Sequence, residues 1–382
     1  MAPVTMPVPV LRELVQERFA VSELLTSLFM SINMVGGFLV APAAGAIADR
    51  WGRHRPLLIG ALAVDAACFA AMTAPVPFAG FMAIRLLEGC AHITALSILL
   101  TLASQALPPD RRGRAMGLVG GSMMLGVALG APVGGILGRA GPLVPLQAGA
   151  ALLLLATVMG AIAAREVSES DERPGFGAIA SALRARPLIA VPLAFAFADR
   201  FTVGFFTTTF SLYLGRIHGA SSVQIGALIA TFMIPFALLS YPFGRIAERR
   251  SPVALLCWGS LLYGVGTAAV GFVGPPVLFG LLFVIGVTAA VMFVPSMLMT
   301  TQLAPDSIRA TALGAFNAAG SLGFIIGPIA GGAISQLVAQ RFDWLAGYRA
   351  AFMVAGASEA LCVVVALVVL ARLRGPRQPS GG

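Results

Sequence analysis

Apolar residues run along this chain in blocks of about 20, and a block of that length crosses the ~30 Å hydrocarbon core of a bilayer as a helix. Arginine, glycine and proline gather in the short stretches between blocks. The pattern predicts helices near 23–47, 56–74, 77–105, 114–138, 143–164, 188–214, 222–247, 252–274, 276–303, 310–337 and 348–372, which is eleven spans in an all-α integral membrane fold. Helices suit that setting because backbone polar groups find no partner in lipid and must bond within their own segment. Residues 1–22 contain Pro3, Pro7, Pro9, Arg12, Glu13, Glu17 and Arg18, and are expected to form a loop.

Composition agrees, with 58% of the 382 residues hydrophobic and 11% charged, far below the roughly one-quarter charged content of soluble domains. A net charge of +9 raises the question of nucleic acid. The basic residues lie in the connections between spans, so topology accounts for them and no nucleic-acid partner is expected. All 25 are arginine. Without lysine no Gly-Lys-Ser/Thr phosphate loop exists, and ATP-driven pumping is not expected. Cys68, Cys90, Cys257 and Cys362 stand singly inside apolar runs and read as packing residues.

Most arginines fall in alternate connections, including Arg50, Arg53 and Arg55, then Arg111, Arg112 and Arg114, then Arg245, Arg249 and Arg250. The positive-inside rule makes that side cytoplasmic, with residues 1–22 outside and the C-terminus inside. The polar stretch 165–187 reads as a cytoplasmic linker between a five-span bundle, 1–164, and a six-span bundle with its tail, 188–382. The bundles echo each other. Gly45-Ala-Ile-Ala-Asp49-Arg50 returns as Gly244-Arg-Ile-Ala-Glu248-Arg249, and Pro109-Asp110 as Pro305-Asp306, which indicates a duplicated bundle.

Gly45-x-x-x-Asp49-Arg50-x-Gly52-Arg53 resembles the signature of the major facilitator superfamily, with His54 where that family usually has a second basic residue. The resemblance implies a two-bundle transporter fold in which Gly45, Asp49, Arg50, Gly52 and Arg53, with Glu248 and Arg249 in the repeat, act as a conformational latch. It begins at the family's second helix. The first is expected to be missing, through a late start or as a true eleven-helix variant.

Arg85-Leu-Leu-Glu88-Gly89 resembles the family's arginine-bearing fourth helix, and Arg85, Glu88 and His92 share one helical face. Charges at membrane depth are costly and usually face a cavity or a partner. Asp199-Arg200 lies about 18 Å from Pro187 along the helix at ~1.5 Å per residue. Asp199, Thr202, Phe206, Thr209 and Tyr213 form a mixed stripe suited to lining a cavity. The substrate or proton pathway is therefore expected at Arg85, Glu88, His92, Asp199, Arg200, Thr202, Thr209 and Tyr213; for both arginine-bearing segments a merely structural ion pair is the competing reading. Asp65 and Glu359 are placed by the resemblance on peripheral helices away from the cavity, and Asn33 reads as an interhelical hydrogen bonder.

Gly126, Gly130, Pro132, Gly134 and Gly135 in one span, and Gly323, Gly327, Pro328, Gly331 and Gly332 in another, are expected to pack helices closely and to bend them. In the family a Gly-Pro-x-x-Gly-Gly pattern in the fifth helix marks proton-coupled exporters. Here it is complete only at Gly327 to Gly332, while Ala131 precedes the proline of the earlier copy. The expected function is proton-coupled export of a hydrophobic or amphipathic small molecule across the cell membrane by a monomer in the lipid bilayer, with no cofactor, no metal and no enzyme activity. The alternatives are uptake or facilitated diffusion of a polar solute, or a scaffold or sensor that has kept the fold.

Overall fold

Helices meet at a handful of glycine-lined crossings in the computed structural model, which describes residues 1–51, 54–105, 112–163, 187–303 and 309–373, without the side chains of 41–51, 112–121 and a few others. In chain order the long helices are α1 (Glu23–Trp51), α2 (His54–Ala71), α3 (Phe78–Gln105), α4 (Arg112–Leu137) and α5 (Val144–Ala163). There follow α6 (Ala190–Thr207), α7 (Thr209–His218), α8 (Ser222–Arg249), α9 (Pro252–Ala269), α10 (Pro275–Leu303), α11 (Arg309–Ala339) and α12 (Trp344–Leu373). Among the described residues, ten segments are long and apolar enough to cross a membrane, α6 and α7 counting as one, and α4 adds the apolar stretch Leu125–Ala140. The predicted spans therefore coincide with helices. Large apolar side chains such as Leu154, Ile162, Leu238, Val265 and Leu361 point outward, as a lipid-facing surface requires.

Local chemistry sets several helix ends. Gly219 takes a left-handed conformation, φ 59°, that closes α7. Ser221 then opens α8 with a capping box, its hydroxyl accepting from Gln224 N while Gln224 Oε1 accepts from Ser221 N. Between α6 and α7 the backbone breaks at Thr208, φ −128° and ψ −73°, and the hydroxyls of Thr207 and Thr208 both donate to the Gly204 carbonyl at 2.9 Å.

The two halves repeat their pairings. In the first, α1 packs on α3 and α2 on α5; in the second, α8 packs on α10 and α9 on α12. Contacts between halves run through α1 with α11 and α4 with α8.

Residues 1–22 are not a loop. Ala2–Thr5, Val8–Val10 and Arg12–Glu17 are successive helical stretches of α, 3-10 and π type. The joins keep helical angles at Met6, Pro7 and Leu11. Pro7 and Pro9 lack N–H groups, so the regular ladder is interrupted while the rod continues. Its Val4, Met6, Val8, Val10, Leu11, Leu14 and Val15 are buried. The charges that argued for a loop are satisfied at neighbouring helix ends: Arg12 Nη1 donates to the Gly215 carbonyl at 2.9 Å, and Arg18 donates to the Met72 and Ala74 carbonyls at 3.0 and 2.6 Å.

Candidate functional site

Helix α3 carries the first cluster. Residues three and seven apart share its face, so Arg85, Glu88 and His92 all turn inward, and all are buried. Arg85 Nη1 lies 2.9 Å from Glu88 Oε2, and Asn33 Nδ2 of α1 donates to the same oxygen at 2.6 Å. The guanidinium stacks over Phe29, 4.6 Å from its centroid. Gly89 makes this possible, because a Cβ there would run into the Asn33 carbonyl. One helix away, His92 Nδ1 meets Asp65 Oδ2 at 2.8 Å. Asp65 therefore belongs to the cluster and does not stand apart from it. Ligand atoms of Asp65, Glu88 and His92 all fall within 4.8 Å of one another, a spacing that could hold an ion. The Arg85 guanidinium, however, already places a cation against Glu88.

The second cluster lies between α6, α9 and α12. Glu359, fully buried, accepts from Thr202 Oγ1 at 3.3 Å and from Ser260 Oγ. Gly264 faces the backbone of Gly356 and Cβ of Glu359, so the close crossing of α9 and α12 delivers Ser260 and Tyr263 to that carboxylate. Glu359 too was expected at the periphery and lies inside. Asp199 sits one turn before Thr202; its Oδ2 is 3.6 Å from Arg200 Nε and has no hydrogen-bond partner among the described residues. Tyr263, whose hydroxyl is likewise unpartnered among them, has Asp199, Glu359 and Arg200 as its charged neighbours.

Not every expected lining residue joins these clusters. The break at Thr208 interrupts the stripe. Beyond it Thr209 faces Gly331 of α11. Tyr213 is buried against Tyr348 and Phe352, with its hydroxyl 2.9 Å from His218 Nε2. The glycines mark close approaches. Gly126, Gly130 and Gly134 receive the amino-terminal rod, Gly135 meets Ser222, and Gly226 meets Ala131 and Pro132. Gly323 and Gly327 press on the α6 backbone, with Pro328 against Gly204, and Gly332 presses on Ser27 of α1. Of the latch residues, Gly45, Asp49 and Arg50 lie in α1 and Glu248 in α8 without described side chains, Gly52 and Arg53 lie outside the described residues, and Arg249 is exposed.

A third group, absent from the expectations, joins the halves at the end opposite the latch. Glu23 of α1 is 3.1 Å from Arg216 Nη2 of α7, and it accepts from Tyr348 Oη at 2.8 Å and Ser335 Oγ at 3.3 Å. Arg216 stacks on Trp344, 3.7 Å from its centroid.

Two repeated helical bundles, each setting an arginine near two buried carboxylates and meeting its twin through glycine crossings, define a multi-pass helical membrane protein. The chain belongs to the Major Facilitator Superfamily, whose sequence profile matches residues 1–214 and 193–382. It is 25% identical over 325 residues to the chromaffin granule amine transporter of Rattus norvegicus, covering 80% of this chain and 59% of that protein. It is 24% identical to the synaptic vesicular amine transporter of Mus musculus, of which it spans 60%. With the 3-(3-hydroxy-phenyl)propionate transporter of Escherichia coli it shares 26% identity over 358 residues, covering 90% of this chain and 85% of that one. The fold matches that of a bacterial homologue of the human lysosomal transporter Spinster, in an inward-facing and unoccupied conformation, with a TM-score of 0.80 at 13% identity over 100% and 97% of the two chains.

Proposed function

We propose that this protein is a proton-coupled secondary transporter that exports a small amphipathic molecule across the cell membrane by alternating access. One observation carries the proton coupling: each half sets one arginine near two buried carboxylates, Arg85 with Glu88 and Asp65, and Arg200 with Asp199 and Glu359. Such a set has one negative charge too many for an apolar interior, and a proton removes the excess. In the first half His92 can hold it beside Asp65. In the second no histidine is at hand, Glu359 already accepts two hydrogen bonds, and the unpartnered oxygen of Asp199 is the place for the proton.

Export is supported by Gly130-Ala131-Pro132-x-Gly134-Gly135 in α4, which stands where the family has its exporter pattern and departs from it at Ala131 and in having one residue fewer after the proline; the full pattern stands only in α11. A small charged organic cargo is supported by the similar proteins, transporters of amines and of a phenylpropionate. The halves 1–164 and 188–382 would rock about the site, with the linker 165–187 and the C-terminus in the cytoplasm.

The test is transport by the purified protein in liposomes, acid inside, against a panel of labelled amphipathic compounds. One-for-one exchange predicts up to about tenfold accumulation per pH unit. Asp199→Asn is expected to keep exchange without a gradient and to lose accumulation driven by one. Full gradient-driven accumulation by a well-folded Asp199→Asn protein would remove Asp199 from the coupling step, and indifference of the parent to pH would remove proton coupling altogether.

A further inference from the structure

Arg200 differs from Arg85 in one respect that bears on cargo. The side chain of Arg85 is fully enclosed, whereas that of Arg200 retains 19% of its exposure while the adjacent Asp199 retains 5%. Arg200 stands near the middle of the Ala190–His218 segment. An arginine open to hydrocarbon at that depth would be costly, so its open edge must face a water-filled space between helices. The charge that a solute in this space can reach in the second half is thus positive.

Its surroundings are aromatic. The guanidinium lies 4.7 Å from the Phe293 centroid on α10 and 5.4 Å from that of Phe324 on α11, and both rings are only partly buried. Phe316 and Phe236 pack edge-on or tilted against Phe293 and extend the wall. Gly320 and Gly323 leave room for the arginine stem, because a Cβ added at either would come within 3.0 Å of its Cγ or Cβ, and this fixes where the head can go. Contact through the guanidinium carbon leaves N–H donors of the head free, and a guanidinium edge takes a carboxylate in two parallel bonds. Among the described residues the carboxylate nearest to it, Asp199, approaches only Nε, at 3.6 Å, beyond hydrogen-bond range.

We propose that Arg200, Phe293 and Phe324 form a binding site for a small aromatic carboxylate, the carboxylate on the in-plane edge of Arg200 and the ring against the two phenylalanines. This rests on the transporter reading above and names the class of its cargo. An aryl amine is the opposite alternative. It would require Asp199, which is the less accessible of the two charges.

The test is equilibrium binding to the purified protein in lipid nanodiscs with no proton gradient, so that failure of proton coupling and failure of this site are separate results. The probes are 3-phenylpropionate, 3-phenylpropylamine and the neutral 3-phenylpropanol. The acid is expected to bind at least about tenfold more tightly than either, the factor that one charge-assisted hydrogen bond supplies. Arg200→Gln should abolish that preference, and Phe324→Leu should weaken the acid and the alcohol together. Because Arg200→Gln leaves Asp199 unpaired, the double variant Asp199→Asn, Arg200→Gln is measured as well and should show the same loss. Equal binding of the three probes, preference for the amine, or an acid preference that survives in the folded double variant would each overturn the proposal.

Discussion

Taking the guanidinium from Arg85 strands a carboxylate where water does not reach. Arg85→Met removes a contact of 2.9 Å, and at an effective dielectric of about 20 that separation corresponds to roughly 6 kcal/mol of attraction. The loss in stability is smaller, because Asn33 still donates to Glu88 at 2.6 Å and because the pair was itself costly to desolvate. Breaking a buried pair from one side costs about 3–5 kcal/mol, which is the expected destabilisation here. Adding Glu88→Met removes the stranded charge, and replacing both partners with apolar side chains is often neutral. The double variant still leaves the buried Asn33 donor without its acceptor, a cost of about 1–3 kcal/mol, and should therefore be more stable than the single variant while falling short of the parent. Neither variant should transport, since the arginine of the charge set is gone from both. The measurement pairs thermal melting in detergent with gradient-driven flux in liposomes, on the same preparations. If Arg85→Met melts with the parent, or if the double variant falls as far as the single, the reasoning from an isolated buried charge is refuted. If the double variant transports normally, the cluster is structural only.

At the other end of the molecule, Arg216→Gln should cost less, about 1–2 kcal/mol, because the arginine side chain is 23% exposed and its pairing with Glu23 is partly screened. Melting that Glu23→Gln does not restore would disconnect the two residues. In Gly226→Leu the new Cβ would meet the Ala131 carbonyl oxygen at 2.8 Å, a backbone atom that cannot step aside. The halves would be held apart along α4 and α8, and exchange should slow by about tenfold or more, the cost of over-packing a close contact by ~1–3 kcal/mol; unchanged exchange rates would show that this crossing tolerates separation.

The helices were legible because lipid leaves one pattern open to them: a run of about 20 apolar residues announces itself. Inward-facing charge was legible for the same reason at Arg85, Glu88 and Asp199. What escaped were partners contributed by other helices. Asp65 and Glu359 each appear in sequence as a lone acid in an apolar run; Asp65 finds His92 across the contact of α2 with α3, and the crossing at Gly264 brings α9 to α12 closely enough to set Ser260 and Tyr263 by Glu359. For Glu359 the available signal was Gly356, three positions earlier on the same helical face, which meets Gly264. Residues 1–22 were misjudged on a different ground. Prolines and charges usually end a helix, but here 3-10 and π turns absorb the missing donors, and the arginines bond to carbonyls at the ends of other helices.

The joint at Thr208 gives the α6–α7 segment the character of a jointed lever. Asp199 and Arg200 lie on one arm, and Arg216, which holds Glu23 across the gap between halves, lies on the other. Arg216 is eight positions past the joint, roughly 12 Å at ~1.5 Å per residue, so a tilt of about 10° there carries its backbone some ~2 Å sideways. A 3.1 Å ion pair does not survive such a displacement unless its partner follows. A solute or proton arriving at the near arm could thus be felt at the far one through a single bend, with the rest of the bundle standing still.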